Sequence, residues 1–107
     1  MGMTASTNWN TFYVTGGGSG IGRHLAGMLA GRGAAVAVFD RNIPVDATAE
    51  IEAARSDVDR PVHTAEVDVC DADALAAAVA EAVTAIGPPR LAINSAGGSI
   101  NDPFAEA

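Results

Sequence analysis

Eight consecutive residues, Thr15-Gly16-Gly17-Gly18-Ser19-Gly20-Ile21-Gly22, stand between an apolar, β-prone run and an amphipathic helix pattern. Their chemistry lies in the backbone. In this setting glycines let the chain turn tightly and approach a pyrophosphate, whose charge rests on exposed N–H groups and on the positive end of the following helix. An acid, Asp40, closes the next apolar run. It follows the glycine loop at about the 20-residue distance at which a carboxylate can accept hydrogen bonds from an adenosine ribose. The two features together imply dinucleotide binding. The same carboxylate would repel the 2′-phosphate of NADP, so NAD is the expected cofactor and NADP the less favoured one. Arg41 pulls the other way, since an arginine there could pair with a phosphate or stack on adenine.

The elements that must position these residues alternate regularly. Thr11-Phe12-Tyr13-Val14-Thr15 is aromatic and β-branched and ends at glycine, which predicts a short buried strand. After the loop, Ile21, Leu25, Met28 and Leu29 recur at helical spacing as one apolar stripe, with Gly31 and Gly33 bracketing the stop. The run from Ala34 to Phe39 contains a second strand, Val36 to Phe39, ending at Asp40. Pro44 starts a second helix through Ile51 and Ala54, and a polar turn from Ser56 to Pro61 leads into a third strand, Val62 to Val67. Asp71 is placed to cap a third helix whose Leu75, Val79, Val83 and Ile86 share a face and which Gly87-Pro88-Pro89 ends. Leu91-Ala92-Ile93 is a fourth strand. Such alternation predicts an α/β fold with a Rossmann-type parallel sheet, flanking helices, right-handed crossovers and strand order 3-2-1-4. Residues 1–10 read as a tail and 11–107 as one NAD(P)-binding domain.

The glycine spacing is more specific than glycine richness. The general pattern G-x-G-x-x-G fits nowhere in this stretch, because a start at Gly16 puts Ile21, and a start at Gly18 puts Arg23, where the last glycine belongs. What fits is Thr-Gly-x-x-x-Gly-Ile-Gly, which resembles the short-chain dehydrogenase/reductase family. Asp68-Val69, after the third strand, resembles that family's Asp and small apolar residue. Asn94-Ser95-Ala96-Gly97 resembles its Asn-Asn-Ala-Gly, departing at Ser95. The resemblance spans nearly the whole chain. It implies that Ser19 and the Ile21 N–H touch the cofactor and that Thr15 ties the loop to the fourth strand. It also implies that Asp68 and Val69 hold the adenine, and that Asn94, Ala96 and Gly97 run beside the nicotinamide ribose. Gly16, Gly20 and Gly22 would serve the tight turn, the approach to phosphate and helix packing, with Gly18 in the same loop.

Plainer readings stand beside these. The loop could be glycine-rich without a ligand, Asp40 a solvated acid ending a strand, and Asp68-Val69 a strand-end turn. Arg23 could help with phosphate charge or belong to a solvated helix face. His24 and His63 have no partners at metal-ligand spacing, so no metal site is expected.

Composition narrows the partners. The 107 residues are 49% hydrophobic and 18% charged, as in a small globular domain, with a formal net charge of −7 that disfavours nucleic acid or an anionic membrane surface. No run is apolar enough to span a bilayer. A single Cys70 forms no internal disulfide, and the first residues lack the pattern of a signal peptide, so a cytoplasmic location is expected. Met1-Gly2 with Ser6 satisfies the short myristoylation pattern without any basic patch, and one lipid chain would anchor only marginally.

In the family that the chain resembles, hydride transfer uses a Tyr-x-x-x-Lys pair and a preceding Ser. Here the only tyrosine is Tyr13, with Gly17 four residues on, and the chain has no lysine. No catalytic residue is assigned, and the chain alone is expected to be inactive. Two readings follow. In one, the chain is the dinucleotide-binding part of an NAD(P)-dependent oxidoreductase acting on an alcohol or carbonyl, incomplete relative to the family because only Phe104-Ala105-Glu106-Ala107 follow the helix start at Asp102-Pro103. In the other, it is a stand-alone, catalytically inactive nucleotide-binding or interaction module. Leu91-Ala92-Ile93 would then be a bare sheet edge, and a homo-oligomer is expected to cover it.

Overall fold

The computed structural model describes residues 11–18, 20–57 and 59–95. Their elements are β1 (Thr11–Thr15), α1 (Gly20–Gly31), β2 (Ala35–Asp40), α2 (Val45–Ala54), β3 (Val62–Glu66), α3 (Ala72–Ile86) and β4 (Leu91–Asn94). The strands form one 4-stranded sheet in the order β3-β2-β1-β4. All three pairings are parallel, with Val14 opposite Val38 and Ile93, and Asp40 opposite Glu66. This is the Rossmann-type order that the alternation predicts.

β2 lies in the middle of the sheet, and its residues are buried from Ala35 to Phe39, which is why it reads as an unbroken apolar run. Successive side chains leave a strand on opposite faces. Val36 and Val38 therefore join Val14, Ala26, Ala30, Ile43, Ala47 and Ile51 beneath α1 and α2. Ala37 and Phe39 join Tyr13, Ala78 and Ala82 beneath α3. Tyr13 and Phe39 meet with ring centroids 5.5 Å apart, within the range of a favourable tilted pair. The Tyr13 hydroxyl donates to the Gly87 carbonyl at 2.6 Å, tying β1 to the end of α3.

The helices begin and end for local reasons. The Asp71 carboxylate caps α3 by accepting from the Ala74 N–H at 3.1 Å. α1 closes in a Schellman arrangement, with Ala34 N donating to Leu29 O and Gly33 N to Ala30 O. That turn needs the left-handed backbone of Gly33, at φ 89°.

The inward face of α1 differs from the predicted stripe. Ile21 is 81% exposed and Met28 44% exposed, whereas Gly22, Ala26 and Ala30 are buried. α3 does the same, burying Ala78 and Ala82 while Val83 is 40% exposed. Both helices lie close against the sheet, so the residues directly beneath the axis must be small and the larger apolar side chains fall to the flanks. Leu29 on α1, and Val79 and Ile86 on α3, pack there as partly buried neighbours of the core. Hydrophobic spacing weights the large residues and so points slightly off the true contact line. No described helix is long and apolar enough to cross a membrane.

Candidate functional site at the ends of the strands

β1, β2 and β3 run in the same direction, so their C-terminal ends gather the chemistry of the chain on one edge. Hydrogen bonds continue the sheet past those ends: Gly16 N to Phe39 O at 2.7 Å, Val67 N to Asp40 O at 2.7 Å, and Ser95 N to Thr15 O at 2.9 Å. The glycine loop thus leaves β1 still attached to β2 on one side and to the exit of β4 on the other.

Packing explains why the loop must be glycine. Gly16 has φ 78°, the left-handed turn that lets the chain double back. A Cβ on Gly17 would lie 2.6 Å from Val38 Cγ1. A Cβ on Gly18 would run into the Asn42 carbonyl oxygen and lie 2.8 Å from the Asp40 carboxylate. A Cβ on Gly22 would collide with the Gly16 carbonyl and the Ser95 hydroxyl. At Gly20, the first residue of α1, a Cβ would meet nothing within 4 Å. The loop is therefore pressed against β2 beneath and open above the start of α1. α1 has no acidic residue in its first turn, and the first N–H groups of a helix have no partner within it. This cradle suits a pyrophosphate: backbone donors face open space at the positive end of a helix.

Asp40 faces the loop. Its carboxylate accepts from Gly18 N at 2.9 Å and from Arg41 N at 2.7 Å, and the residue is half-buried. A carboxylate offers about four lone-pair sites, so two backbone bonds leave capacity for ribose hydroxyls. The Arg41 side chain is exposed. On the side of β4, Thr15 Oγ1 donates to Asn94 Oδ1 at 2.8 Å, the tie that the resemblance implies. Ser95, the departure from the family pattern, has a definite role. Its hydroxyl donates to Thr15 O at 2.8 Å and lies 3.3 Å from Gly16 O, locking the loop entrance against the exit of β4.

Asp68 and Val69 follow β3. Asp68 accepts from Cys70 N at 2.9 Å, and Asp71 N donates to the Asp68 carbonyl at 2.9 Å, which makes the pair a turn between β3 and α3. Val69 packs partly buried beneath α3. The exposed Asp68 carboxylate also stays on the edge where the strands end. Ser19, Ala96 and Gly97 lie outside the described residues.

Arg23 takes a role that neither sequence reading foresaw. Its Nε lies 2.7 Å from Glu50 Oε1 and an Nη 3.6 Å from Asp46 Oδ2, both on α2. The bond to Glu50 raises the guanidinium pKa further above its already high ordinary value. Arg23 and Glu50 border a groove of about 410 Å³ between α1 and α2, lined also by Gly20, His24, Gly27 and Met28. The groove reaches the glycine loop at Gly20, while Asp40 is not among its lining residues. Sequence reasoning missed the Asn42 carbonyl against Gly18, the Ser95 hydroxyl on Thr15 O and Gly16 O, and the Glu66 carboxylate, whose Oε2 accepts from Ile43 N at 2.9 Å. Each contact engages a backbone atom on at least one side, which no residue-type pattern reports.

Comparison with known proteins gives one family. A family model described as short chain dehydrogenase matches residues 10–107. The 2-dehydro-3-deoxy-L-rhamnonate dehydrogenase (NAD(+)) of Sphingomonas sp. (strain SKA58) is 39% identical over 84 residues, which cover 78% of this chain and 31% of that protein. A short-chain type dehydrogenase/reductase from Mycobacterium ulcerans superposes with a TM-score of 0.73 at 35% identity, covering 83% of this chain and 33% of that one. Carveol dehydrogenase from Mycobacterium avium in complex with NAD gives a TM-score of 0.69 at 30% identity, over 81% of this chain and 35% of that one. The chain spans about a third of the length of these relatives.

Proposed function

The chain belongs to the short-chain dehydrogenase/reductase family, and from that premise we propose that it is the dinucleotide-binding part of an NAD-dependent oxidoreductase. The observation that carries this reading is Asp40 at the end of β2, its carboxylate bonded to Gly18 N beside an open cradle at the start of α1. The backbone from Gly16 to Gly22 holds the pyrophosphate, with Ser19 beside it. Asp40 accepts from the ribose hydroxyls and disfavours a phosphate at the 2′ position. Asp68 and Val69 border the adenine, and Asn94, Ala96 and Gly97 border the nicotinamide ribose. The NAD named for the rhamnonate dehydrogenase and for the carveol dehydrogenase complex supports the same choice.

The bound nicotinamide supplies the hydride acceptor or donor for an alcohol or carbonyl substrate. These residues bind and orient it. Proton transfer needs a further group, and Tyr13 is not that group. Its hydroxyl is buried beneath α3 and engaged by Gly87 O, at the edge of the sheet opposite Asp40. In this reading the acid/base residue comes from outside the 107 residues. Calorimetric titration tests the proposal. We expect saturable binding of NAD+ and at least about tenfold weaker binding of NADP+, a difference of about 1.4 kcal/mol. Equal affinity would refute the cofactor preference, and failure of both to bind would refute the function.

A further inference from the structure

Beside Asp40 stands a second acid to which no motif assigns a role. Glu66 ends β3 directly opposite Asp40 in the parallel register. Both are in phase with Val36, Val38 and Val62, whose side chains go to the core beneath α1 and α2, so both carboxylates leave the sheet on the face of the glycine loop. Glu66 is exposed, yet its Oε2 accepts from Ile43 N at 2.9 Å. Asp40 holds Arg41 N at 2.7 Å. Two carboxylates from neighbouring strands thus hold alternate amides of the segment by which the chain leaves β2.

That segment forms one wall of the site. The Asn42 carbonyl lies against Gly18, leaving no room there for a Cβ. Ile43 is buried, only 9% exposed, and anchors the segment to the core. Arg41, exposed and cationic, stands next to the carboxylate that meets the ribose. An arginine free to swing there would pair with a 2′-phosphate and cancel the discrimination that Asp40 provides.

We propose that Glu66 is a positioning residue for cofactor choice: by holding the Ile43 amide it fixes the Arg41–Ile43 segment and keeps Arg41 from serving a 2′-phosphate. This inference rests on the function proposed above. It assigns the effect to the hydrogen bond and not to the charge of Glu66, which two conservative variants separate. Glu66→Gln keeps an acceptor oxygen at the same reach and loses the charge. Glu66→Asp keeps the charge and falls one methylene short.

The experiment measures Kd for NAD+ and NADP+ on the 107-residue chain and these variants, with Tm recorded for each. Glu66→Asp is expected to lower the ratio of NADP+ to NAD+ dissociation constants about fivefold, the range set by loss of one hydrogen bond. Glu66→Gln is expected to stay within about twofold of the unaltered chain. In the Arg41→Ala background Glu66→Asp is expected to change nothing, because the effect runs through Arg41. A role confined to stability would lower Tm and leave the ratio unmoved. The inference is overturned if Glu66→Asp leaves the ratio unchanged, if Glu66→Gln lowers it as far, or if the effect survives in Arg41→Ala. If the unaltered chain binds neither nucleotide, the proposed function falls and this inference with it. Binding with an unmoved ratio overturns the inference alone.

Discussion

The same substitution made twice on one helix should have opposite signs. Gly22 and Gly27 both lie in α1. Replacing glycine by alanine inside a helix gains roughly 0.5–1 kcal/mol, because alanine loses less conformational freedom on folding. At Gly27 nothing lies within 4 Å of the new Cβ, so Gly27→Ala should show this gain undiluted. At Gly22 the Cβ would meet the Gly16 carbonyl oxygen and Ser95 Oγ, with the Gly16 carbonyl carbon at 2.8 Å. The carbonyl belongs to a loop held by the bond from Gly16 N to Phe39 O, so it cannot move aside cheaply. Overpacking of this kind costs about 1–3 kcal/mol, which outweighs the helical gain.

Urea unfolding should therefore place the two variants about 1–3 kcal/mol apart on either side of the unaltered chain, because the helical gain is common to both and the overpacking separates them. In a domain of this size a change of about 1 kcal/mol moves Tm by roughly 4–8 °C. Ser95→Ala in the Gly22→Ala background should recover only part of the loss, since it removes the hydroxyl and leaves the backbone carbonyl. NAD+ affinity should fall with Gly22→Ala and stay constant with Gly27→Ala. Equal stability of the two variants would refute the argument that α1 meets the loop at Gly22.

Asp40→Asn should raise NADP+ affinity relative to NAD+ by about tenfold, as removal of a half-screened charge near the 2′ position implies, and paired titrations would measure it. Tyr13→Phe loses the bond to Gly87 O and should cost about 1 kcal/mol in denaturant unfolding. Burial raises the Tyr13 pKa above its ordinary 10.0, so the folded state favours the protonated phenol. That contribution is whole below about pH 10 and is lost as pH rises through the folded pKa. Tm measured from neutral to strongly alkaline pH should fall less steeply in Tyr13→Phe, and with no lysine in the chain no ammonium titrates in the same window. Arg23→Ala should lower Tm slightly, an effect that high salt erases, and leave NAD+ affinity unchanged, because Arg23 is engaged by Glu50 and Asp46. A large loss of affinity would mean that Arg23 serves the phosphates after all.

Part of the fold is legible in the sequence. Strand order followed from alternation, since parallel neighbours need crossover helices and right-handed crossovers leave few topologies. The Asp71 cap and the Gly33 stop are local, decided within a single turn of chain. Local signals were weaker where contact mattered more than residue type. The Ile21, Leu25, Met28 and Leu29 stripe lies off the buried Gly22, Ala26 and Ala30 line, because spacing shows that a helix has an apolar side but not how closely it approaches its sheet. Arg23 stands near the helix start, where a phosphate could meet it, but α2 places two acids beside it.

Residue types at short or regular spacing suffice for the fold class, the family resemblance and the location of the glycine loop and Asp40. Folding in three dimensions settles which glycines are sterically required, that Ser95 locks the loop to β4, and that Glu66 stands beside Asp40. These depend on residues such as Gly22 and Ser95, or Ile43 and Glu66, that are distant along the chain and meet through backbone atoms. Backbone atoms are alike in every residue, so the sequence carries no mark of which of them will meet.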